Sequence, residues 1–351
     1  DRCLEVAPGA TLCVLLRTRI DAREGRCEEM ERDARLVVAL ENGGDTGNAH
    51  LANALAARGA DRAAVEAVIR ARAAASGDPR AQRKVELYDR AQAAAAFGDL
   101  TDAARLARAL AEVVKDEGFV QEHVRWATLL VDVLEEQGDV VAAGRVADDF
   151  LRRLPAWRSV AQRPNDDPVP FMLAAAARAG LRSTAEQARE RAAWAATWRA
   201  RLPGHPEEVW LQEWARPART AAELAAAAAA MPAETRSKTI LPSLPGWISP
   251  QGLVNAYGGR IQLAAGGPRE AAATLGAVAR HCSVLVDAVA HRRAHYWLGQ
   301  AHEAAGETSL ACEAYAGLLR RWERARPRSV TVDAARARAL ALRCEPSPPR
   351  P

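Results

Sequence analysis

The sequence has few aromatic residues, few lysines and no long apolar run, and each shortage excludes a class of protein. Aromatic residues make up only 5% of the chain, although hydrophobic residues make up 49%. The commonest apolar residue is alanine, which is the best helix former and is too small to fill a thick core. Patterns typical of strands are almost absent. The composition therefore predicts thin, closely packed helices rather than a sheet sandwich.

No apolar stretch reaches the roughly 18 residues that a membrane span requires, and no charged-then-apolar leader opens the chain. We therefore expect no membrane contact from this segment and a cytoplasmic location. The first residue is Asp1 rather than Met. Because Pro8 lies where a preceding repeat would end, we expect further chain upstream, with residues 1 to 7 as the tail of an earlier helix.

The basic residues do not form a nucleic-acid-binding pattern. The net charge of +4 is carried by arginine, since the only lysines are Lys84, Lys115 and Lys238. Acidic residues are interleaved with the arginines, as in EGRCEEMERDAR at 24 to 35. A protein that binds nucleic acid usually gathers its basic residues on one face. We therefore expect no nucleic-acid partner.

The cysteines also lack an instructive spacing. They stand at positions 3, 13, 27, 282, 312 and 344, with no CxxC or CxxCH among them. This spacing excludes a zinc ribbon and a haem attachment site. Buried, reduced thiols are the expectation that remains.

One stretch, HYWLGQAHEAAGETSLACEAY at 295 to 315, shows the repeat that organises the chain. Leu298 and Gly299 precede Gly306, and Ala311 and Tyr315 follow that glycine by five and nine residues. This is the tetratricopeptide pattern, in which a small residue lets two helices approach and larger residues fill the gap beside it.

The same frame recurs at six other glycines, each between two apolar helical stretches: Gly25, Gly59, Gly98, Gly138, Gly180 and Gly266. The residues five positions later are Met30, Ala64, Ala103, Ala143, Ala185 and Ala271. A further pair of helices, at 206 to 215 and 218 to 232, fits between Gly180 and Gly266. We therefore predict an all-α solenoid of about eight tetratricopeptide-like hairpins.

Prolines and glycines divide this array. We expect an N-terminal solenoid at 1–231, a Pro/Gly-rich linker at 232–252, C-terminal hairpins with a capping helix at 253–343, and a disordered tail at 344–351. In the capping helix, Thr331 is the predicted N-cap.

Several segments resemble the tetratricopeptide region that follows the kinase domain in many large bacterial serine/threonine protein kinases. They are RCLEVAP, EGRCEEMERDAR, ARGADRAAVEAVIRAR and, above all, LGQAHEAAGETSLACEAYAGLLRRWERARPRSVTVDAARARALAL. The resemblance implies a non-catalytic protein–protein interaction scaffold that serves as a regulatory or docking region for an upstream catalytic domain. A stand-alone adaptor and the solenoid sensor of a signalling ATPase are alternatives with the same fold.

No kinase active site is expected in this chain, because it has no HRD, no DFG and no glycine-rich phosphate loop. GGDTGN at 43 to 48 follows a helix rather than a strand, and we interpret it as a loop between repeats. GxSxG, GK[ST] and HExxH are absent as well. We therefore predict no catalytic residue and no cofactor.

The alternative from another class is a metal- or thiol-dependent enzyme. His291 and His295 share a helix face, and Cys282 lies shortly before them, so a mixed N/S zinc site is conceivable. No fourth ligand stands at a metal-like spacing, and we expect no metal. Similarly, Cys312 and His302 are interpreted as packing residues rather than as a catalytic pair.

In a tetratricopeptide solenoid, the first helix of each hairpin lines a concave groove. The residues six positions before the glycines are Arg19, Asn53, Gln92, Asp132, Ala174, Arg260 and Gln300, and neighbouring candidates are Tyr88, Glu135, Tyr296 and Glu303. Their mixed polar character predicts a protein or peptide ligand held by side-chain hydrogen bonds. The alternative is that these residues are merely solvated helix faces.

Overall fold

A computed structural model describes residues 2–7, 9–41, 43–161, 163–240 and 255–344. Within these ranges the chain is all-helical, with no strand and only two isolated bridges. The all-α class predicted from composition is therefore confirmed. No helix in the same ranges combines the length and the apolar character needed to cross a membrane.

The first part of the chain is a run of helices in which each helix from α2 onward packs against the next. The bounds are α1 Arg2–Val6, α2 Thr11–Glu24, α3 Cys27–Leu40, α4 Asp45–Arg58, α5 Arg62–Ala74, α6 Pro79–Ala96, α7 Leu100–Val114, α8 Val120–Gln137, α9 Val140–Arg153, α10 Val169–Arg178 and α11 Thr184–Arg201. Helix α4 starts inside GGDTGN, so only the first part of that stretch is a loop, contrary to the interpretation above.

Eight further helices follow in the described residues, and one of them, Ala233–Arg236, lies within the predicted linker. They are α12 Pro206–Trp210, α13 Ala221–Ala229, α14 Ala233–Arg236, α15 Asn255–Ala264, α16 Pro268–Arg280, α17 Ala288–Ala304, α18 Thr308–Trp322 and α19 Val330–Ala341. A π-helical turn, Leu211–Ala215, extends α12. The pair predicted at 206–215 and 218–232 is thus present, whereas 241–252 of the predicted linker and 345–351 of the predicted tail lie outside the described residues.

A glycine turn lies between two helices at each of the seven glycines of the predicted repeat, whereas the pair at 206–215 and 221–229 has no glycine at its turn. All seven repeat glycines have φ between 72° and 94°, a left-handed conformation that strains residues with a side chain. At Gly138, for example, the Asp139 N–H donates to the carbonyl of Leu134 and closes the end of α8. The glycine period therefore marks real helix ends.

The position five residues after each glycine is less uniform than the repeat predicted. Ala103 and Ala311 are fully buried, but Ala64 and Ala185 are exposed. The loop length explains this difference. The capping Asp99 follows its glycine directly, whereas one extra residue precedes the cap of α5 and two precede the cap of α11. The added residues rotate the following helix, so that its alanine faces solvent.

The C-terminal helices return to the N-terminal part of the chain. Helix α16 packs on α2, α17 packs on both α6 and α8, and α19 packs on α8. One continuous hydrophobic core contains Ala52 and Leu87 together with Leu285, Trp322 and Val332. The surface of the first helices, which was predicted to be an open groove, is therefore covered by the chain itself.

The expectation of reduced cysteines is wrong. The six cysteines form three disulfides, Cys3–Cys13, Cys27–Cys282 and Cys312–Cys344. The pair Cys27–Cys282 is separated by 255 residues. Such a pairing depends on the return of the C-terminal part to the first helices, which no local spacing reveals.

The N-cap of the last helix also differs from the prediction. It is Ser329, whose hydroxyl accepts a hydrogen bond from the Val332 N–H at 3.0 Å. Thr331 lies in the first turn instead, and its hydroxyl donates to the carboxylate of Glu136 at 2.9 Å. The hydroxyl of Thr331 thus bonds to α8, and Ser329 caps the helix.

Candidate functional site: the groove and the return segment

A segment that we call the return segment, residues 281–293, crosses the N-terminal helix pairs in chain order. It is non-helical from 281 to 287 and then enters α17. Cys282 lies on the first pair, where its N–H donates to the carbonyl of Ala22 at 2.9 Å. Cys282 is fully buried and is bonded to Cys27 at the start of α3.

Two of the predicted groove residues hold the backbone of the return segment. The side-chain oxygen of Asn53, on α4, accepts a hydrogen bond from the Leu285 N–H at 2.8 Å. The side-chain oxygen of Gln92, on α6, accepts one from the Ala288 N–H at 3.1 Å. Ala288 opens α17, so Gln92 satisfies one of the N–H groups that a helix start leaves without a partner. The side-chain amides of Asn53 and Gln92 thus bind backbone N–H groups of the return segment rather than its side chains.

On α8, the first helix of the next pair, two carboxylates bind the charged side chain of Arg293. Arg293 Nη1 lies 2.7 Å from Asp132 Oδ1, and Arg293 Nε lies 2.9 Å from Glu136 Oε2. Arg293 is 5% exposed and Glu136 is 0% exposed, so water does not screen the pair. Burial alone lowers the pKa of Arg293, but Glu136 and Asp132 outweigh it and raise that pKa well above its usual value.

Further arginines complete the ion-pair network around Asp132. Arg219 donates to Asp132 at 3.1 Å and to Glu135 at 2.9 Å, and Arg178 also pairs with Glu135. Burial by itself raises the pKa of Glu135, yet Arg219, Arg178 and Arg293 lower it to about 2. Glu135 is therefore charged, and arginines of the same chain engage Asp132, Glu135 and Glu136.

The other predicted groove residues also have internal partners or are partly covered. Tyr88 accepts a hydrogen bond from Gln92 Nε2 at 3.1 Å. Arg260 donates to the carbonyls of Ala218 and Arg219, and its burial, with Arg219 and Arg293 nearby, lowers its pKa to about 9.

The C-terminal members of the row form a separate group. The amide of Gln300 donates to the Tyr296 hydroxyl at 3.1 Å, and Glu303 accepts from the guanidinium of Arg338 at 3.0 Å. Arg19, at the opposite end of the row on α2, is half-buried. The interpretation of the row as solvated helix faces does not describe Asn53, Gln92 and Asp132, which bind the return segment.

The conceivable metal site lacks its sulfur ligand. Cys282 is bonded to Cys27, so it offers no thiolate. The rings of His291 and His295 contact each other edge to face, with centroids 5.3 Å apart. Burial and the nearby charges of Arg292, Arg321 and Arg320 lower the pKa of His295 to about 3. In the described ranges, no three His, Cys, Asp or Glu side chains are grouped so as to hold a metal ion.

Cys312 and His302, the residues of the alternative thiol site, each bond to a different partner. Cys312 is bonded to Cys344, and His302 Nδ1 lies 2.6 Å from a carboxylate oxygen of Glu307. Neither group is placed to act on the other as nucleophile and base.

Three other residues that take part in these contacts were not predicted from the sequence. Arg219, Arg293 and Glu136 do not belong to the repeat frame. Glu136 is their clearest case, because it accepts from Arg293, Ser329 and the backbone and hydroxyl of Thr331. The local signal was a pair of acidic residues at 135 and 136 that directly follows the mostly apolar stretch from Leu129 to Leu134.

Comparison with known proteins adds no assignment: no protein-family model matches the sequence, and no curated protein matches it significantly.

Proposed function

We propose that the chain is a tetratricopeptide-like α-solenoid that acts as a non-catalytic protein–protein interaction scaffold. The observation that carries the proposal is the row of Asn53, Gln92 and Asp132. Each residue lies six positions before a repeat glycine on a successive first helix, and each binds the same continuous segment, which is non-helical at its start and then helical. Side chains that hold the backbone of such a segment are what a peptide-binding groove requires.

The experiment is photocrosslinking in producing cells, with a photocrosslinking amino acid in place of Arg19. Arg19 is a half-buried member of the groove row, and Arg108, which is exposed on the second helix α7, is the matched control position. Crosslinks from position 19 that map to one linear stretch of one protein, without crosslinks from position 108, support groove binding. Equal crosslinking from both positions counts against it.

We further propose that this scaffold is the regulatory or docking region of a bacterial serine/threonine protein kinase. A groove beside a catalytic domain raises the local concentration of the protein it binds. The support is the resemblance given above, and the alternatives are a stand-alone adaptor and the sensor of a signalling ATPase. The coding sequence upstream of Asp1 is the test. HRD and DFG motifs there support the kinase assignment, whereas their absence up to the start codon removes it and leaves the scaffold.

The disulfides bear on the expected cytoplasmic location. Cytosolic thiols are kept reduced, whereas three disulfides favour an oxidising compartment. We therefore propose that this part of the protein faces an oxidising environment, a location that favours the stand-alone adaptor over docking beside a cytosolic kinase domain. Alkylation of free thiols before cell lysis tests the proposal. Cysteines that remain unlabelled until a reductant is added support it, and cysteines labelled at once restore the cytoplasmic assignment.

A further inference from the structure

We propose that the return segment is an intramolecular ligand of the groove, and that the Cys27–Cys282 disulfide controls whether a partner peptide of the same chemistry can replace it. The inference rests on the proposed function, since it names the partner class and the regulation of that groove.

The return segment is bound as a ligand would be bound. It makes at least one polar contact with each of four successive helix pairs, at Ala22, Asn53, Gln92 and Asp132 among others. Between these contacts, Val284 and Leu285 are 2% and 7% exposed and belong to the main core. The groove therefore combines apolar pockets with polar side chains that face backbone N–H groups.

These contacts define the partner chemistry. The groove fits a peptide in which an apolar pair in a turn precedes an acidic helix N-cap and an arginine follows in the helix. In the return segment these are Val284 and Leu285, then Asp287, whose carboxylate accepts from the Ala290 N–H at 3.0 Å, then Arg293. The arginine gives specificity, because it must reach the carboxylates of Asp132 and Glu136.

The two ends of the return segment are held differently. Arg293 and the body of α17 are fixed by the buried ion pairs and by packing on α6 and α8. The non-helical part, 281–287, is held by the disulfide at Cys282, by the burial of Val284 and Leu285 and by few polar contacts. Opening the disulfide removes this covalent attachment, so that a competing peptide then has to displace only non-covalent contacts, the ion pairs of Arg293 included.

A dithiol reductant, either a small molecule or a protein, can open this bond. Cys27 is half-buried and Cys282 is fully buried, so attack falls on the Cys27 sulfur. The attacking thiolate forms a mixed disulfide with Cys27, and the electron pair of the broken bond leaves on the Cys282 sulfur, which takes up a proton. The second thiol of the reductant then displaces Cys27, so that the reductant is oxidised and the protein gains two thiols.

The test is fluorescence anisotropy with a labelled synthetic peptide, SVLVDAVAHRRAHYW, which has the sequence of residues 283 to 297. The full chain is compared with the double variant Cys27→Ser/Cys282→Ser. The matched control is Cys312→Ser/Cys344→Ser, which removes a disulfide that does not involve the return segment. We expect the first variant to bind the peptide at least about tenfold more tightly than the oxidised protein or the control. A peptide with alanine at the position of Arg293 should bind about tenfold more weakly.

The outcomes separate the inference from the proposed function. Equal binding to the oxidised protein and to the Cys27→Ser/Cys282→Ser variant overturns disulfide control but retains peptide binding by the groove. Absence of binding to every form overturns the partner class, and hydrogen exchange at Leu285 then decides the rest. Faster exchange in the variant retains disulfide control and removes the peptide-binding function, whereas unchanged exchange overturns the inference entirely. If the double serine variant does not fold, the oxidised Cys312→Ser/Cys344→Ser protein is compared with itself after dithiothreitol treatment, with the same expectations.

Discussion

Arg293 Nη1 lies 2.7 Å from Asp132 Oδ1, although 161 residues separate the two in the sequence. Arg293 lies within α17, which was predicted to belong to a C-terminal unit. Asp132 lies on α8, in the predicted groove row of the N-terminal unit. The contact therefore fixes how the end of the chain returns to its beginning. It also explains why the predicted groove residues face protein rather than solvent.

Removal of this arginine should be costly. Arg293→Met leaves the buried carboxylate of Glu136 without its cation and removes one of the two arginines that pair with Asp132, and the loss of a buried ion-pair partner destabilises proteins by about 3 to 5 kcal/mol. The free energy of unfolding in urea measures the effect. Arg105→Met is the control, since Arg105 pairs with Asp102 while its side chain is 63% exposed, and it should cost less than about 1 kcal/mol. Equal losses for the two variants would show that the Arg293 pair is solvated.

The groove amides should protect the backbone of the return segment. Asn53→Ala and Gln92→Ala each leave a covered N–H without an acceptor, at an expected cost of about 1 to 3 kcal/mol. Hydrogen exchange should become faster at Leu285 in the first variant and at Ala288 in the second. Gln300→Ala, which removes a hydrogen bond to Tyr296 only, should leave both amides protected. Unchanged exchange in all three variants would contradict the assignment.

The fifth residue after a repeat glycine is buried in some helix pairs and exposed in others, and substitutions at two such positions can be compared. Ala311→Trp places a large ring at a fully buried position and should destabilise the protein by about 1 to 3 kcal/mol or more. Ala64→Trp occupies the equivalent sequence position, but Ala64 is exposed, so the change should stay within about 0.5 kcal/mol. Thermal unfolding of the two variants measures the contrast. A large loss at Ala64 would show that the register does not shift in the second pair.

Histidines buried without charge should make stability depend on pH. Burial and Arg23 lower the pKa of His281 to about 4, and burial and Arg292, Arg321 and Arg320 lower that of His295 to about 3. The unfolded chain binds protons at these residues below its pKa of about 6.5, whereas the native state does not. The contribution of these neutral histidines to the free energy of unfolding is thus fully present above the unfolded-state pKa of about 6.5, and it declines as the pH falls below that value. Between about pH 7 and about pH 5, each should remove about 2 kcal/mol from the free energy of unfolding.

The variant His295→Gln isolates this effect. Its free energy of unfolding should fall about 2 kcal/mol less than that of the wild type over the same pH interval. His205→Gln is the matched control, because the His205 side chain is 55% exposed, and it should retain the wild-type slope. If both variants retain that slope, His295 is protonated in the native state.

The sequence predicted the local parts of this fold correctly for physical reasons. Glycines such as Gly138 mark helix ends because only glycine adopts φ of 85° without strain. The weak pair at 206–232 was predicted from spacing alone. By contrast, the return of Arg293 to Asp132 and the Cys27–Cys282 bond join residues far apart in the chain. A single sequence carries no periodic signal for such contacts, so the sequence pointed to Asn53, Gln92 and Asp132 but not to the return segment that they contact.

The most direct test of the return segment is disulfide mapping of the intact oxidised protein by trypsin digestion and mass spectrometry. Trypsin releases Cys27 in the peptide CEEMER and Cys282 in the peptide HCSVLVDAVAHR. The account predicts that these two peptides are recovered joined, and that they separate when dithiothreitol is added. Recovery of the Cys282 peptide as a free thiol, or joined to any other cysteine peptide, would contradict it.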